Sequence, residues 1–259
     1  MILTMDIGNT NIKTALFEGE EMICYWRIAT NRSQSSDEYG ILLANLFRHN
    51  NLDMNAVSGI IMSSVVPTIN FTIEHMCRNY FHLDPMHVAP GVKTGINIKY
   101  ENPRELGSDR IANAVAAYTL YGGPCIFIEF GTATTFGVMS EKGEFLGGAI
   151  CPGLKLASEA LVERTAKLPR FELVRPANVI GKNTISNMQS GLVFGYVGQV
   201  IYLVNKMREE LGVPDAKVIA TGGLAVLISS ETDIINVMDG LLTLKGLRII
   251  YERNKEATK

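Results

Sequence analysis

A short apolar run, Met1–Met5, stops at the carboxylate of Asp6 and is followed by Gly8 and the polar stretch Asn9-Thr10-Asn11. Apolar residues then resume over Ile12–Phe17. Glu18-Gly19-Glu20 reads as a turn and Met22–Ile28 as a further strand, so the chain opens on a β-hairpin with a carboxylate and a glycine at the end of its first strand. Ile41, Leu42, Leu46 and Phe47 recur at helical spacing within Tyr39–Asn50, and Val57–Val66 predicts a buried strand that Pro67 ends. The alanine-rich stretch Ser108–Leu120 predicts a helix stopped by Gly122-Gly123-Pro124.

The opening pattern then returns. Cys125–Ile128 is an apolar strand ending at Glu129, followed by Phe130-Gly131, the run Thr132-Ala133-Thr134-Thr135, and apolar Phe136–Met139. A turn at Glu141-Lys142-Gly143-Glu144 leads into a strand over Phe145–Ile150. With Asp6 laid on Glu129, Gly8 falls on Gly131, which points to an internal duplication into halves 1–122 and 123–259 with a cleft between them. Helices are expected over Leu154–Leu168, Gln189–Leu211 and Leu241–Leu247, and a strand over Val213–Ala220 that runs into Thr221-Gly222-Gly223. The charged end, Glu252–Lys259, is expected to fray.

Charge narrows the function classes. Lys+Arg number 24 against 26 Asp+Glu, a net charge of −2, and no basic run is present, which speaks against a nucleic-acid partner. No apolar stretch reaches the ~18–20 residues that span a bilayer. The N-terminus lacks a basic segment and Asp6 interrupts its apolar run, so a cytoplasmic protein without a signal peptide or a membrane partner is expected. Cys24, Cys77, Cys125 and Cys151 form no CxxC pair and read as reduced core thiols. Cys77, His82 and His87 match no zinc spacing, and the glycosylation-type triplets Asn31-Arg32-Ser33 and Asn70-Phe71-Thr72 carry weight only in a secreted chain.

Candidate chemistry sits on three glycine-bearing turns that follow strands: Asp6–Asn11, Glu129–Thr135 and Ala220–Gly223. Glycine lets a backbone approach a phosphate, and Asn and Thr add neutral donors beside the peptide N–H groups. A carboxylate just before such a loop repels phosphate but can hold a cation that bridges to it, while Lys13 supplies a point charge. GxxxxGK[ST], GxGxxG and HExxH are all absent; Gly181-Lys182-Asn183-Thr184 lacks the upstream glycine and has Asn where Ser or Thr belongs. Gly107-Ser108-Asp109-Arg110 opens the Ser108–Leu120 helix. Ser108 and Asp109 suit a helix N-terminus, and Asp109 equally suits a general base with Arg110 gripping an anionic substrate group.

Taken in order along nearly the whole chain, these motifs resemble those of type III pantothenate kinases, members of the acetate and sugar kinase/Hsp70/actin superfamily. The matching residues are Asp6–Asn11 with Lys13, Ser64-Val65-Val66-Pro67, Tyr100 before Asn102-Pro103, Gly107-x-Asp109-Arg110, Gly131–Thr135, Gly147-Gly148 with Pro152-Gly153, Gly181–Thr184 and Thr221–Gly223. The resemblance implies an α/β fold of two duplicated actin-like (ribonuclease H-like) domains with a nucleotide cleft between them. It implies phosphorylation of pantothenate at its 4′-hydroxyl by ATP, the first step of coenzyme A synthesis, in a homodimer that needs Mg²⁺ and a monovalent cation, K⁺ or NH₄⁺. It implies ATP contacts from Asp6, Gly8, Asn9, Thr10, Asn11, Lys13 and Thr132, with Asp6 also serving Mg²⁺ through the phosphates. Asp109 is implied as the base, and Tyr100, Gly107, Ser108, Asp109, Arg110 and Thr184 as pantothenate contacts. Two positions depart from the family pattern: Glu129 stands where an aspartate associated with the monovalent cation is usual, and Gly137 where a further aspartate is frequent. A nucleotide-binding regulatory protein on the same fold is the alternative, and Glu129 is the residue that favours it.

Overall fold

In the computed structural model, which describes residues 1–256, β1 (Ile2–Ile7), β2 (Asn11–Glu18) and β3 (Glu21–Ala29) form an antiparallel meander. Two parallel strands, β4 (Gly59–Ser64) and β5 (Met86–His87), extend the sheet on the far side of β1, giving the order β3-β2-β1-β4-β5. Strand periodicity sorts β1 into two faces. Leu3, Met5 and Ile7 join Ile60 and Met62 in a core closed by α1 (Ser36–His49) and α2 (Asn70–Phe81), through residues such as Leu43, Phe47, Ile73 and Met76. The alternate residues, Asp6 among them, look toward the other face. There α7 (Leu242–Glu256) packs, its Tyr251 lying against Gly59. Among the described residues this unit comprises Met1–Gly95, Glu101–Ala116 and 242–256.

The second unit, Ile96–Tyr100 with Ala117–Leu241, repeats the scheme. Its meander is β7 (Cys125–Phe130), β8 (Ala133–Met139) and β9 (Glu144–Pro152). The parallel strands β10 (Lys217–Thr221) and β11 (Val237–Met238) follow on the side of β7, and the short β6 (Asn97–Ile98) closes the other edge beside β9. Ile126, Ile128, Phe136 and Val138 pack under α5 (Thr184–Leu211), with α4 (Leu154–Glu163) and α6 (Ala225–Ser229) beside it. The two sheets share one order of their five corresponding strands, with Asp6 and Glu129 at equivalent places on β1 and β7. The halves drawn at 122/123 place the last helix with the second repeat, whereas by contact it packs with the first sheet. α3 (Ser108–Tyr121) begins in the first unit and ends in the second.

Local chemistry accounts for most boundary differences. α1 starts at Ser36 rather than Tyr39 because Ser35 and Glu38 form a capping box, each satisfying the other's backbone N–H. α5 starts at Thr184 for the same reason, through Asn183 and Ser186, and ends at Gly212 in the left-handed region (φ 68°). α4 stops at Glu163, short of the expected Leu168, with Arg164 as its C-cap, the N–H of which donates to the Ala160 carbonyl. The frayed end expected from Glu252 is corrected: α7 runs to Glu256, held by Asn254, which bonds both N–H and C=O of Lys93, and by Arg253 on the Thr94 carbonyl. The rest of that expectation, 257–259, lies outside the described residues.

The four cysteines are unpaired; burial pushes the thiols of Cys77 and Cys125 up to about 12, so neither is a nucleophile near neutral pH. Among the described residues no helix is long and apolar enough to cross a membrane.

Candidate active site

Asp6 owes its surroundings to register. It is the cross-strand partner of Lys13 in the antiparallel β1–β2 pair and of Ser63 in the parallel β1–β4 pair, so all three side chains share one face of the sheet. The Ser63 hydroxyl donates to Asp6 Oδ1 at 2.8 Å, and Lys13 Nζ lies 3.4 Å from Asp6 Oδ2. Asp6 and Ser63 are buried, so this bond acts where water competes little. The turn after Ile7 closes by Gly8 N–H donating to the Asn11 carbonyl at 3.0 Å, which leaves Asn9 and Thr10 exposed at its tip.

Asp109 reaches the same face from α3. The helix N-terminus is tied to the end of β4: the Ser108 hydroxyl accepts from Ser64 N–H at 3.1 Å and donates to the Ser64 carbonyl at 3.4 Å. Asp109 Oδ1 accepts from the backbone N–H of Arg110 at 2.8 Å. The half-buried Asp109 carboxyl is held above its ordinary range, chiefly by burial and next by the charge of Asp6; the bond from Arg110 and the Arg110 charge oppose this without cancelling it. A carboxylate whose ionised form is disfavoured, facing a second carboxylate, is a proton acceptor in want of a proton. Gly107 is needed for that placement, since a Cβ there would overlap Asp109 Oδ1. Arg110 itself is buried.

The second unit carries the corresponding hairpin. Gly131 N–H donates to the Ala133 carbonyl at 3.1 Å, and the Thr132 carbonyl accepts from Gly153 N–H at 3.0 Å with the Thr132 side chain exposed. Glu129, the counterpart of Asp6, is the cross-strand partner of Thr135 on β8 and of Thr221 on β10. The lysine and serine that flank Asp6 are thus replaced by two threonines. Thr135 Oγ1 is buried without a hydrogen-bond partner in the protein. Gly222, at φ 99°, brings the third turn against the Phe130 backbone, where a Cβ would come 2.5 Å from the Phe130 carbonyl oxygen. A Cβ at Gly137 would overlap the Phe127 ring, so the volume a side chain would need there is already filled.

The structure therefore brings Asp6, Gly8, Lys13, Gly107, Ser108, Asp109 and Arg110 together in the first unit, with Asn9, Thr10 and Asn11 in its loop. Glu129 and Thr132 share the second unit's hairpin. Tyr100 packs against Phe145, ring centroids 6.1 Å apart, and Thr184 is exposed at the first turn of α5, lining a shallow hollow with Pro169 and Gln189. Ser63 has no signal of its own in the sequence; Thr135 and Thr221 belong to the glycine-bearing turns, but only strand register shows that they flank Glu129. Among the described residues no group of three or more His, Cys, Asp or Glu side chains is arranged to hold a metal by itself.

Among solved structures, the chain is similar to a putative Baf family transcriptional activator from Campylobacter jejuni at 21% identity, with a TM-score of 0.62 over 98% of this chain and 99% of the other. It is also similar to a putative 2-dehydro-3-deoxygalactonokinase from Sinorhizobium meliloti (9% identity, TM-score 0.59, 98% and 96% covered). A third likeness is to an inorganic polyphosphate/ATP-glucomannokinase from Arthrobacter sp. strain KM (12% identity, TM-score 0.51, 97% and 98% covered). At these identities the likeness establishes the fold alone, mixed α/β with two sheets. The sequence model of the type III pantothenate kinases matches residues 2–206, a span that contains every candidate site residue from Asp6 to Thr184, and the chain belongs to that family.

Proposed function

We propose that the protein transfers the γ-phosphoryl group of ATP to the 4′-hydroxyl of pantothenate. The observation that carries this reading is Asp109, held beside Asp6 at the end of the glycine loop with its carboxyl raised, on a chain of the pantothenate kinase family. In the reaction Asp109 takes the hydroxyl proton, the hydroxyl oxygen bonds to the γ-phosphorus, the bond to the bridging oxygen breaks, and ADP leaves. Gly8–Asn11, Lys13 and Thr132 are the residues assigned to the phosphates of ATP. Tyr100, Gly107, Ser108, Arg110 and Thr184 hold pantothenate, the carboxylate of which suits Arg110. Such a reaction runs on positioning and charge neutralisation, so covalent machinery is not required.

The donor sets fit the ions this chemistry uses. Mg²⁺ is held mostly by substrate phosphates and water with one or two carboxylates, and Asp6, a hard oxygen donor at the loop, can supply that share; when bound, the ion neutralises charge on the β- and γ-phosphates. For a monovalent cation, Glu129 and the buried, unpartnered Thr135 hydroxyl provide oxygen donors on one face of the sheet, with Thr221 opposite. The longer glutamate side chain carries its charge ~1.5 Å further than aspartate would. Turnover is therefore expected to rise when Na⁺ is replaced by K⁺ or NH₄⁺, and Glu129→Gln to abolish that difference. Equal rates of the unaltered protein in both salts would remove the cation from the site. The same reading carries a homodimer.

ADP release from the purified protein with ATP and Mg²⁺, with and without pantothenate, tests the function. Pantothenate-dependent turnover is expected. Nucleotide binding without turnover in any salt would favour a regulatory protein on this fold, with Glu129 as the first residue to restore to aspartate.

A further inference from the structure

The first phosphate loop has a neighbour that the kinase reading leaves unused. Residues 30–34, just after β3, fold back over Gly8–Thr10. The Thr30 hydroxyl donates to the Gly8 carbonyl at 2.6 Å and Thr30 N–H to the Thr10 carbonyl at 3.0 Å. The segment is rigidly seated. The hydroxyl of the buried Tyr39 accepts from Asn31 N–H and donates to the Asn31 carbonyl, both at 3.0 Å, and Asn31 Oδ1 accepts from Ser33 N–H. The triplet that resembles a glycosylation acceptor is thus a braced Asx turn, and it projects Arg32 over the loop. The guanidinium donates to Asn9 Oδ1 at 3.1 Å, and Arg32 forms no ion pair among the described residues.

That contact has two consequences. An asparagine amide has an acceptor end and a donor end, and a guanidinium has donors only, so it can engage Asn9 only through Oδ1. The Asn9 N–H₂ group is thereby turned away from Arg32, free to donate to an anion. Second, the Lys13 charge at the base of the loop is already opposed by Asp6 at 3.4 Å, whereas the Arg32 charge at the exposed tip is opposed by no carboxylate. A polyphosphate carries several negative charges, and a planar cation with remaining N–H donors matches its oxygens. We propose that Arg32 is a positioning and phosphate-contacting residue: it fixes the Asn9 amide with its donors outward and supplies the uncompensated positive charge for the phosphate chain of a nucleoside triphosphate. This rests on the nucleotide-binding reading above.

Equilibrium binding of ATP with Mg²⁺ and of adenosine to the full-length protein, unaltered and as Arg32→Ala and Arg32→Lys, tests it. Arg32→Ala is expected to weaken ATP binding about tenfold or more, the scale of a lost charge-assisted hydrogen bond, and to leave adenosine binding unchanged. Arg32→Lys is expected to recover part of the loss, because it keeps the charge but not the planar array of donors. Unchanged ATP affinity in Arg32→Ala would overturn the proposal alone. So would an equal loss for adenosine, which would mark a merely structural role. Unaltered protein that binds no ATP would overturn the nucleotide reading and this proposal with it.

Discussion

Asp109→Asn is expected to lower pantothenate-dependent turnover by ~10²-fold or more, the usual scale for removing a general base, while leaving the protein folded. The exchange keeps shape and one acceptor: the Arg110 N–H that now donates to Oδ1 at 2.8 Å can donate to the amide oxygen instead. What it removes is a charge that the fold disfavours. A carboxyl with its folded-state value raised above the unfolded one opposes folding at pH values above the raised value, and the opposition is relieved as pH falls toward the ordinary aspartate range. The variant should therefore melt no lower than the unaltered protein at neutral pH, and any advantage should vanish on acidification. In the unaltered enzyme kcat/KM should fall on the acid side as Asp109 gains its proton, and this limb should be missing from the residual activity of Asp109→Asn. Thermal melts and pH–rate profiles of the two proteins check both halves. Retained turnover would remove Asp109 from the reaction, and a large drop in melting temperature would make its role structural.

Asp6 and Asp109 are legible in the sequence because each stands where local chain chemistry announces it: a carboxylate at a strand end before glycine, and a carboxylate at the start of an alanine-rich helix. The hydroxyl that orients Asp6 is not, since Ser63 lies 57 residues away and reaches it only through the parallel β1–β4 register. Thr135 and Thr221 stand in legible turns, yet their pairing with Glu129 is likewise set only by register. Arg32 lies near Asn9 only after β2 and β3 have folded back on one another, so the triplet containing it reads locally as a surface motif. Elsewhere the local signal was there to be used. Ile73, Met76, Cys77 and Phe81 recur at helical spacing and are all buried in α2. The charged end of α7 shows the opposite case, where Glu252–Lys255 looks like a fraying tail and long-range bonds to Lys93 and Thr94 hold it helical. Contacts close in sequence are recoverable from periodicity and capping; those set by strand register or by packing of distant segments are not.

Gly246→Leu is expected to prevent stable folding, and Gly246→Ala to destabilise by about 2 kcal/mol, within the range found for overpacked cores. On helix propensity alone the alanine should help by ~1 kcal/mol, because Gly246 lies inside α7. Packing decides the sign. A Cβ at Gly246 would overlap the carbonyl oxygen of Ala112 and come 3.1 Å from its Cα, so the neighbour that must yield is the backbone of α3, not a side chain that can rotate away. The crossing is pinned one residue further along α3, where the Thr243 hydroxyl donates to Asn113 Oδ1 at 2.8 Å with both residues buried. α3 cannot slide without breaking that bond or the Ser64–Ser108 tie at its start. Because Asp109 lies less than one turn before Ala112, displacement of the helix also displaces the carboxylate from Asp6. Gly246→Ala should therefore lose turnover beyond what its folded fraction explains, with the acid limb of its pH profile moved toward the ordinary aspartate range as the influence of Asp6 weakens. Denaturant unfolding together with the pH–rate profile checks this. A melting temperature equal to or above that of the unaltered protein would mean that the α3–α7 crossing is looser than the structure has it.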